Sequence, residues 1–343
     1  MEDPFLTNYA FEDKQTIVAC YAQYLSAGQT LLCQNIRTST IQAYLQAVSR
    51  SFLTHPQGMK DPTKSNTGIG KPTLLNKVLT EHKRWETMPN RWEPVTKSMI
   101  QWMIKQSHQH KTDSLIPALT DWSLLALYFG FRLSEFLQLH HHVLGGHLKL
   151  NQDGLPQAFI SSDVIFYGQS KKCIVLDHST HIDPTTVTAF SIRWRYQKNQ
   201  QNGETKLMVR NDKNTQFCSV RAMLRIFHRA ARYQVPANFP LAIYRSSSGS
   251  RKLLTHKQME LFIKSAAKSV YSISQAGLQK FGVHSLRVGA AVMLHAAGFT
   301  ADDIKFELRW RSDAFRDYLR NILCLATTKS LSLTNFDPDC VDF

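Results

Sequence analysis

Three short segments carry side chains suited to gripping a phosphate group. In FGFRLSEFLQL, residues 129–139, Gly130 ends one helix and Arg132 opens another, with Glu135 three residues on along the same face. An arginine so placed offers a two-pronged fork to phosphate oxygens, and a neighbouring carboxylate can hold that fork in orientation. In VHSLRVGAAVMLHAAG, residues 283–298, His284 and Arg287 project from one helix face near the positive end of its dipole. Leu286, Ala290, Met293 and Leu294 turn the other way, into a core. In LRWRSDAFRDYLRN, residues 308–321, Ser312 or Asp313 can cap a short helix whose Phe315 and Leu319 form an apolar stripe beside Tyr318. Trp310 lies just upstream. Taken singly, each has an ordinary reading: a solvated Arg/Glu pair, a chance HxxR, a packed tyrosine and a packed tryptophan.

The elements that must position these residues can be read from apolar periodicity. Residues 12 to about 54 predict helices: Ile17, Tyr21, Tyr24 and Leu25 recur at helical spacing, then Ile41, Tyr44, Leu45, Val48 and Phe52, with Thr38-Ser39-Thr40 as cap candidates. A loop rich in proline and glycine follows over 55–71, then a helix over 73–86. The segment MPNRWEPVTK, 88–97, breaks the pattern and marks a boundary between a small helical domain, 1–90, and a larger one, 97–343. The larger domain opens with helices near 97–106 and 118–129. Strand-like runs follow at 158–167, 173–176, 188–196 and 205–209, with a hairpin-turn signal at Asn202-Gly203 in QKNQQNG. Helical patterning returns at 219–231, 256–270 and from 284 onward. The expected fold class is therefore mainly α, with an α+β second domain in which helices surround a small antiparallel sheet.

Composition narrows the partners. Lysine and arginine number 41 against 26 acids, a net charge of +15, which points to a polyanion. No stretch approaches the ~20 apolar residues that cross a bilayer, and the acidic start does not read as a signal peptide. The cysteines, Cys20, Cys33, Cys173, Cys218, Cys324 and Cys340, form no CxxC pair, so they are read as reduced thiols of an intracellular protein. The run His140-His141-His142 cannot converge on one ion from a single helix face, and no metal or cofactor is expected.

Arg132 in GFRLSE, His284-Ser-Leu-Arg287, Trp310 and a downstream Tyr318, in that order, resemble the tyrosine recombinase (phage integrase) superfamily. RWRSDAFRDYLR and the IRWRYQKNQQNG…CSVRAMLRI arrangement are similar to the recombinases of Crypton-type eukaryotic mobile elements. The likeness covers roughly residues 97–321; the N-terminal helices fit the family's core-binding domain by position and helicity. Trp310 stands where many integrases have histidine, and its spacing to Tyr318 is one residue shorter than in many of them.

The resemblance implies cleavage and rejoining of double-stranded DNA. Tyr318 would be the nucleophile, Arg132 and Arg287 the phosphate clamp, His284 and Trp310 further hydrogen-bonding groups, and Glu135 an orienting carboxylate. The family also uses a lysine on a β-hairpin between the two arginine segments. Lys198 matches it best, and Lys171 or Lys172 is the rival. The resemblance further implies a homo-oligomer, dimeric on a site and tetrameric in synapsis, and a nuclear location if the likeness to eukaryotic mobile elements holds, otherwise the cytoplasm or nucleoid. The tail from about 322 to 343, with Leu331, Leu333, Phe336 and Phe343, would dock on a neighbouring protomer or fold back on its own domain. Basic residues across 193–210 and 220–232 are candidate phosphate contacts. Two other readings remain: relaxation of DNA in the manner of a type IB topoisomerase, and a domesticated DNA-binding protein without catalysis.

Overall fold

The computed structural model describes residues 5–28, 36–86, 91–137, 150–168, 173–174, 184–197, 202–310 and 316. The chain forms two compact units, Met1–Pro89 and Asn90–Phe343. Among the described residues the chain is mainly helical, with a small antiparallel sheet in the larger unit. No helix among them is long and apolar enough to cross a membrane.

The smaller unit is built from α1 (Phe11–Ser26), α2 (Thr38–Leu53) and α3 (Thr73–Trp85) around Val18, Ala22, Leu25, Ile41, Leu45, Leu75 and Leu79. Helix α1 corrects the periodicity reading: Ile17, Tyr21 and Tyr24 are exposed, and the buried stripe is shifted to Val18, Ala19, Ala22 and Leu25. The two alanines allow close approach to α3, so fit prevails over side-chain size. Thr38 is the first residue of α2 rather than its cap; Arg37 is the N-cap, and the Thr38 amide donates to Glu86 Oε1 at 3.0 Å.

The larger unit runs α4 (Lys97–Ser107), α5 (Leu115–Phe129), α6 (Leu133–Phe136), β1 (Val164–Gly168), β2 (Cys173–Ile174), β3 (Val187–Arg193), β4 (Thr205–Val209), α7 (Ser219–Arg232), β5 (Ile243–Arg245), β6 (Arg251–Leu253), α8 (His256–Tyr271), α9 (Gln275–Leu278), α10 (His284–Ala296) and α11 (Ala301–Leu308). The four-stranded sheet has the order β2-β1-β3-β4, with Phe166, Phe190 and Met208 in cross-strand register. Of the run read as a strand over 158–167, only the part from Val164 is strand; Ser161–Asp163 form a 3₁₀ turn. Its Asp163 carboxylate bonds the Ile160 amide and Arg195, an alternative to the ladder that suits a turn. The short hairpin β5–β6 and α9 carry too few residues to announce themselves by periodicity.

Helix α5 is the axis of this unit. From Pro117 to Phe129 every residue except Tyr128 is buried, as expected of a helix packed against α4, α7 and α10 together. Helix α10 is enclosed over its first half, from Ser285 through Val292. Gly289 permits this, because a Cβ there would lie 2.2 Å from the Val95 carbonyl oxygen.

Candidate active site

Two helix ends meet at the candidate site. Helix α5 stops at Gly130, which adopts the left-handed conformation with φ 57° and returns its amide to the Ala126 carbonyl at 2.8 Å. A Cβ at Gly130 would also approach Leu308 Cδ2 to 2.8 Å, so glycine is required by conformation and by space. Helix α11 stops at Arg309, which is left-handed too, with φ 55°. That conformation costs a non-glycine residue ~1 kcal/mol or more, and the arginine side chain supplies the reason for keeping it.

A helix C-terminus leaves carbonyls without partners inside the helix. Here the carbonyls of 128–130 and 307–309 form two adjacent rows, and cationic side chains fill them. Arg287 donates Nη1 to the Gly130 carbonyl and Nη2 to the Leu308 carbonyl, the latter at 2.7 Å. Arg309 donates Nη1 to the Phe129 carbonyl at 3.3 Å, and Arg132 donates Nη2 to the Arg309 carbonyl at 3.4 Å. Lys206, from β4, donates to the carbonyls of Tyr128 at 3.5 Å and Glu307 at 3.4 Å. Cations at the negative ends of two helix dipoles are favoured, and their convergence concentrates positive charge at one place.

Glu135 organises the arginines. Its Oε1 accepts from Arg132 Nη1 at 3.0 Å; its Oε2 accepts from the Arg132 amide at 2.9 Å, Arg309 Nη2 at 3.0 Å and Trp194 Nε1 at 3.2 Å. The carboxylate is buried, and so is Arg309, whose guanidinium lies 3.7 Å over the Trp194 ring. Burial pulls the Arg309 pKa down, opposed by the charge of Glu135. Beneath this group Phe129, Phe131, Phe159 and Trp194 pack ring against ring, a dry floor that holds the charges in place.

The structure thus brings together Arg132, Glu135, Arg287 and Trp310, although their segments are far apart in sequence. Arg287 lies 4.8 Å over the Trp310 ring. His284 stands one helical turn before Arg287 on α10, its ring 6.4 Å from that of Trp92. Burial, and then the charge of Arg287, lower its pKa from 6.5 to about 4, so the imidazole is neutral near pH 7. Tyr318, Lys198, Lys171, Lys172, the histidine run 140–142 and the tail from 322 lie outside the described residues.

Three members of the cluster were not singled out for it from sequence. Arg309 and Trp194 both lie inside quoted motifs, LRWRS and IRWRY, but nothing in their spacing marks them. Lys206 leaves a faint signal: on β4 it shares the inward parity with Met208, while Thr205, Leu207 and Val209 are exposed. Several basic residues offered as phosphate contacts are engaged internally. Arg195 pairs with Asp163 at 2.6 Å, Arg210 with Asp212 at 2.7 Å, and Arg229 with Asp121 at 2.9 Å. Among the described residues no cluster of three histidine, cysteine or acidic side chains is placed to hold a metal.

No family model and no curated protein matches the chain. Among solved structures it is similar to the Tn1549 transposon integrase in complex with transposon right end DNA, at 12% identity and a TM-score of 0.48, over 96% of this chain and 87% of that one. It is similar to XerA recombinase at 14% identity and a TM-score of 0.39, over 95% and 93% of the two chains. It is also similar to XerH site-specific recombinase bound to a palindromic difH substrate, at 13% identity and a TM-score of 0.49, over 95% and 73%.

Proposed function

We propose that the chain cuts and rejoins duplex DNA through a 3′-phosphotyrosine bond, with Tyr318 as nucleophile. The observation that carries the reading is the convergence of Arg132 and Arg287 on neighbouring carbonyls at the end of α11, beside Trp310. Two guanidiniums held rigidly at one place suit a pentavalent phosphate, which gains negative charge on its non-bridging oxygens as it forms. Tyr318 Oη attacks phosphorus, and the bond to the 5′ oxygen breaks with its electron pair leaving on that oxygen. The tyrosine proton passes to the neutral imidazole of His284, and Lys198 gives a proton to the departing oxygen. Trp310 adds an indole N–H donor, and Glu135 orients Arg132 without reacting. Rejoining is the same path reversed by a 5′ hydroxyl, so the bond energy is conserved.

The resemblance to Crypton-type elements makes site-specific recombination or integration of a mobile element the particular role, on double-stranded DNA, as a homo-oligomer, in the nucleus. The smaller unit would serve as core-binding domain and the larger as catalytic domain. The test is covalent trapping on nicked duplex DNA in EDTA, comparing the native chain with Tyr318→Phe. A denaturation-resistant adduct that disappears in the variant is expected. No adduct with the native chain would leave a DNA-binding protein without catalysis, and relaxation of supercoils without sequence preference would favour the type IB topoisomerase reading.

A further inference from the structure

Lys206 is a half-buried lysine that the proposed chemistry does not use. Its side chain is 20% exposed, and it forms an ion pair with Glu307, whose side chain is 31% exposed. The same ammonium reaches the carbonyls of Tyr128 and Glu307 and lies 5.6 Å from the centre of the Phe129 ring. One side chain on β4 therefore touches the last turns of both α5 and α11. These are the turns whose next carbonyls receive Arg287, Arg309 and Arg132.

Lys206 is thus linked to both ends of the candidate site. In one direction β4 continues back through the turn to Lys198, eight positions earlier. The ladder between β3 and β4 is regular up to this point, with Ile192 opposite Lys206, Trp194 amide to Glu204 carbonyl at 2.9 Å and Gly203 amide to Trp194 carbonyl at 2.7 Å. In the other direction Glu307 stands two residues before Arg309 and three before Trp310, on the segment that leads to Tyr318. Among the described residues strand β4 is the edge of its sheet, with β3 as its one strand neighbour, so its position depends on anchors outside the ladder. Burying an ammonium is unfavourable, and burial lowers the Lys206 pKa despite the opposing pull of Glu307. An exposed lysine at a helix end would meet the same carbonyls without that cost.

We propose that Lys206, through Glu307, is a positioning residue that fixes the hairpin carrying the proton donor against the helix end leading to the nucleophile. The inference rests on Tyr318 as nucleophile and Lys198 as proton donor. Its signature is selective for the leaving group. If Lys206 sets the height of the hairpin, its loss must impair protonation of the 5′ oxygen more than attack by tyrosine.

The test measures adduct formation by the full chain on two nicked duplexes, one with an ordinary 5′ oxygen and one with a 5′-bridging sulfur, which leaves without a proton. Lys206→Met should slow the oxygen substrate about ten- to a hundredfold, short of the ~10²–10⁴ that a general acid supplies. On the sulfur substrate its rate should return to near that of the native chain. Lys206→Arg should recover most of the activity on oxygen by keeping the ion pair, and Glu307→Gln should reproduce the methionine pattern more weakly. Equal losses on both substrates would overturn the inference, since Lys206 would then support only the fold. So would no loss on either, or failure of arginine to restore activity, which would make Lys206 the proton donor. Should Lys206→Met not fold, Glu307→Gln on the same two substrates decides the matter. Absence of any adduct with the native chain instead removes the underlying reading and is seen before a variant is made.

Discussion

Two buried carboxylates in the larger unit, Glu135 and Asp121, are each held by an inner and an outer arginine. The inner partners, Arg309 and Arg229, have side chains 2% exposed; the outer ones, Arg132 and Arg225, are 21% and 41% exposed. By charge and burial the two groups are nearly alike. They differ in what surrounds them. Asp121 sits in the middle of α5 and clamps α7 to it, its arginines arriving from 104 and 108 residues away. Glu135 sits at the corner after α5, where its arginines also fill the open carbonyls of two helix ends, next to Arg287 and Trp310. Burial of a charge pair therefore does not distinguish the two groups. What sets the Glu135 group apart is convergence of several elements on one place and an outer arginine whose fork faces a cationic neighbourhood.

The largest effects should come from the inner arginines, and they should differ. Arg309→Met is expected to cost about 3–5 kcal/mol of stability, the usual result of breaking a buried pair from one side. It also leaves a left-handed residue without the interaction that retains it. Arg229→Met should cost less, because Arg229 sits in regular helical conformation on α7, so its loss strands no left-handed residue, while Asp121 keeps its outer arginine at 2.7 Å, as Glu135 keeps its own. Denaturant midpoints at unchanged slope measure both. A larger loss from Arg229 than from Arg309 would break the comparison. The outer arginines sharpen it further. Arg132→Ala should lower the rate of adduct formation by ~10²–10³ with little change in stability, since a lost transition-state donor costs roughly 3–4 kcal/mol. Arg225→Ala, equally a surface-facing arginine on a buried acid, should react at close to the native rate.

Much of this was legible in sequence, and the reasons for the remainder are physical. The Arg132–Glu135 pair is local, three residues apart along one turn, so spacing exposes it. The joining of Arg132 to Arg287 is not local; only the order of motifs suggested it. Arg309 could not be read, because its role depends on a left-handed backbone that leaves no mark in residue type. Nothing in the sequence around Asp121 marks it, since its partners come from α7. The exposed Ile17, Tyr21 and Tyr24 show the limit of periodicity: a helix with two apolar faces can bury either, and the alanines chose. Tyr318 and Lys198 rest on the motif resemblance and on nothing in the geometry.

The smallest predicted effect concerns His284. Its folded-state pKa of about 4 lies below the ordinary 6.5, so between these values the unfolded chain binds a proton that the folded chain refuses. Stability must then rise with pH across that window and fall as pH drops through it. From pH 7 to pH 5 the loss assignable to this one residue is about 2 kcal/mol, most of it below pH 6.5. His284→Asn should flatten the stability profile by about that amount over the same interval, measured as the denaturant midpoint at each pH. A profile unchanged by the substitution would mean that the imidazole titrates alike in the folded and unfolded chains, so that neither burial nor Arg287 shifts it.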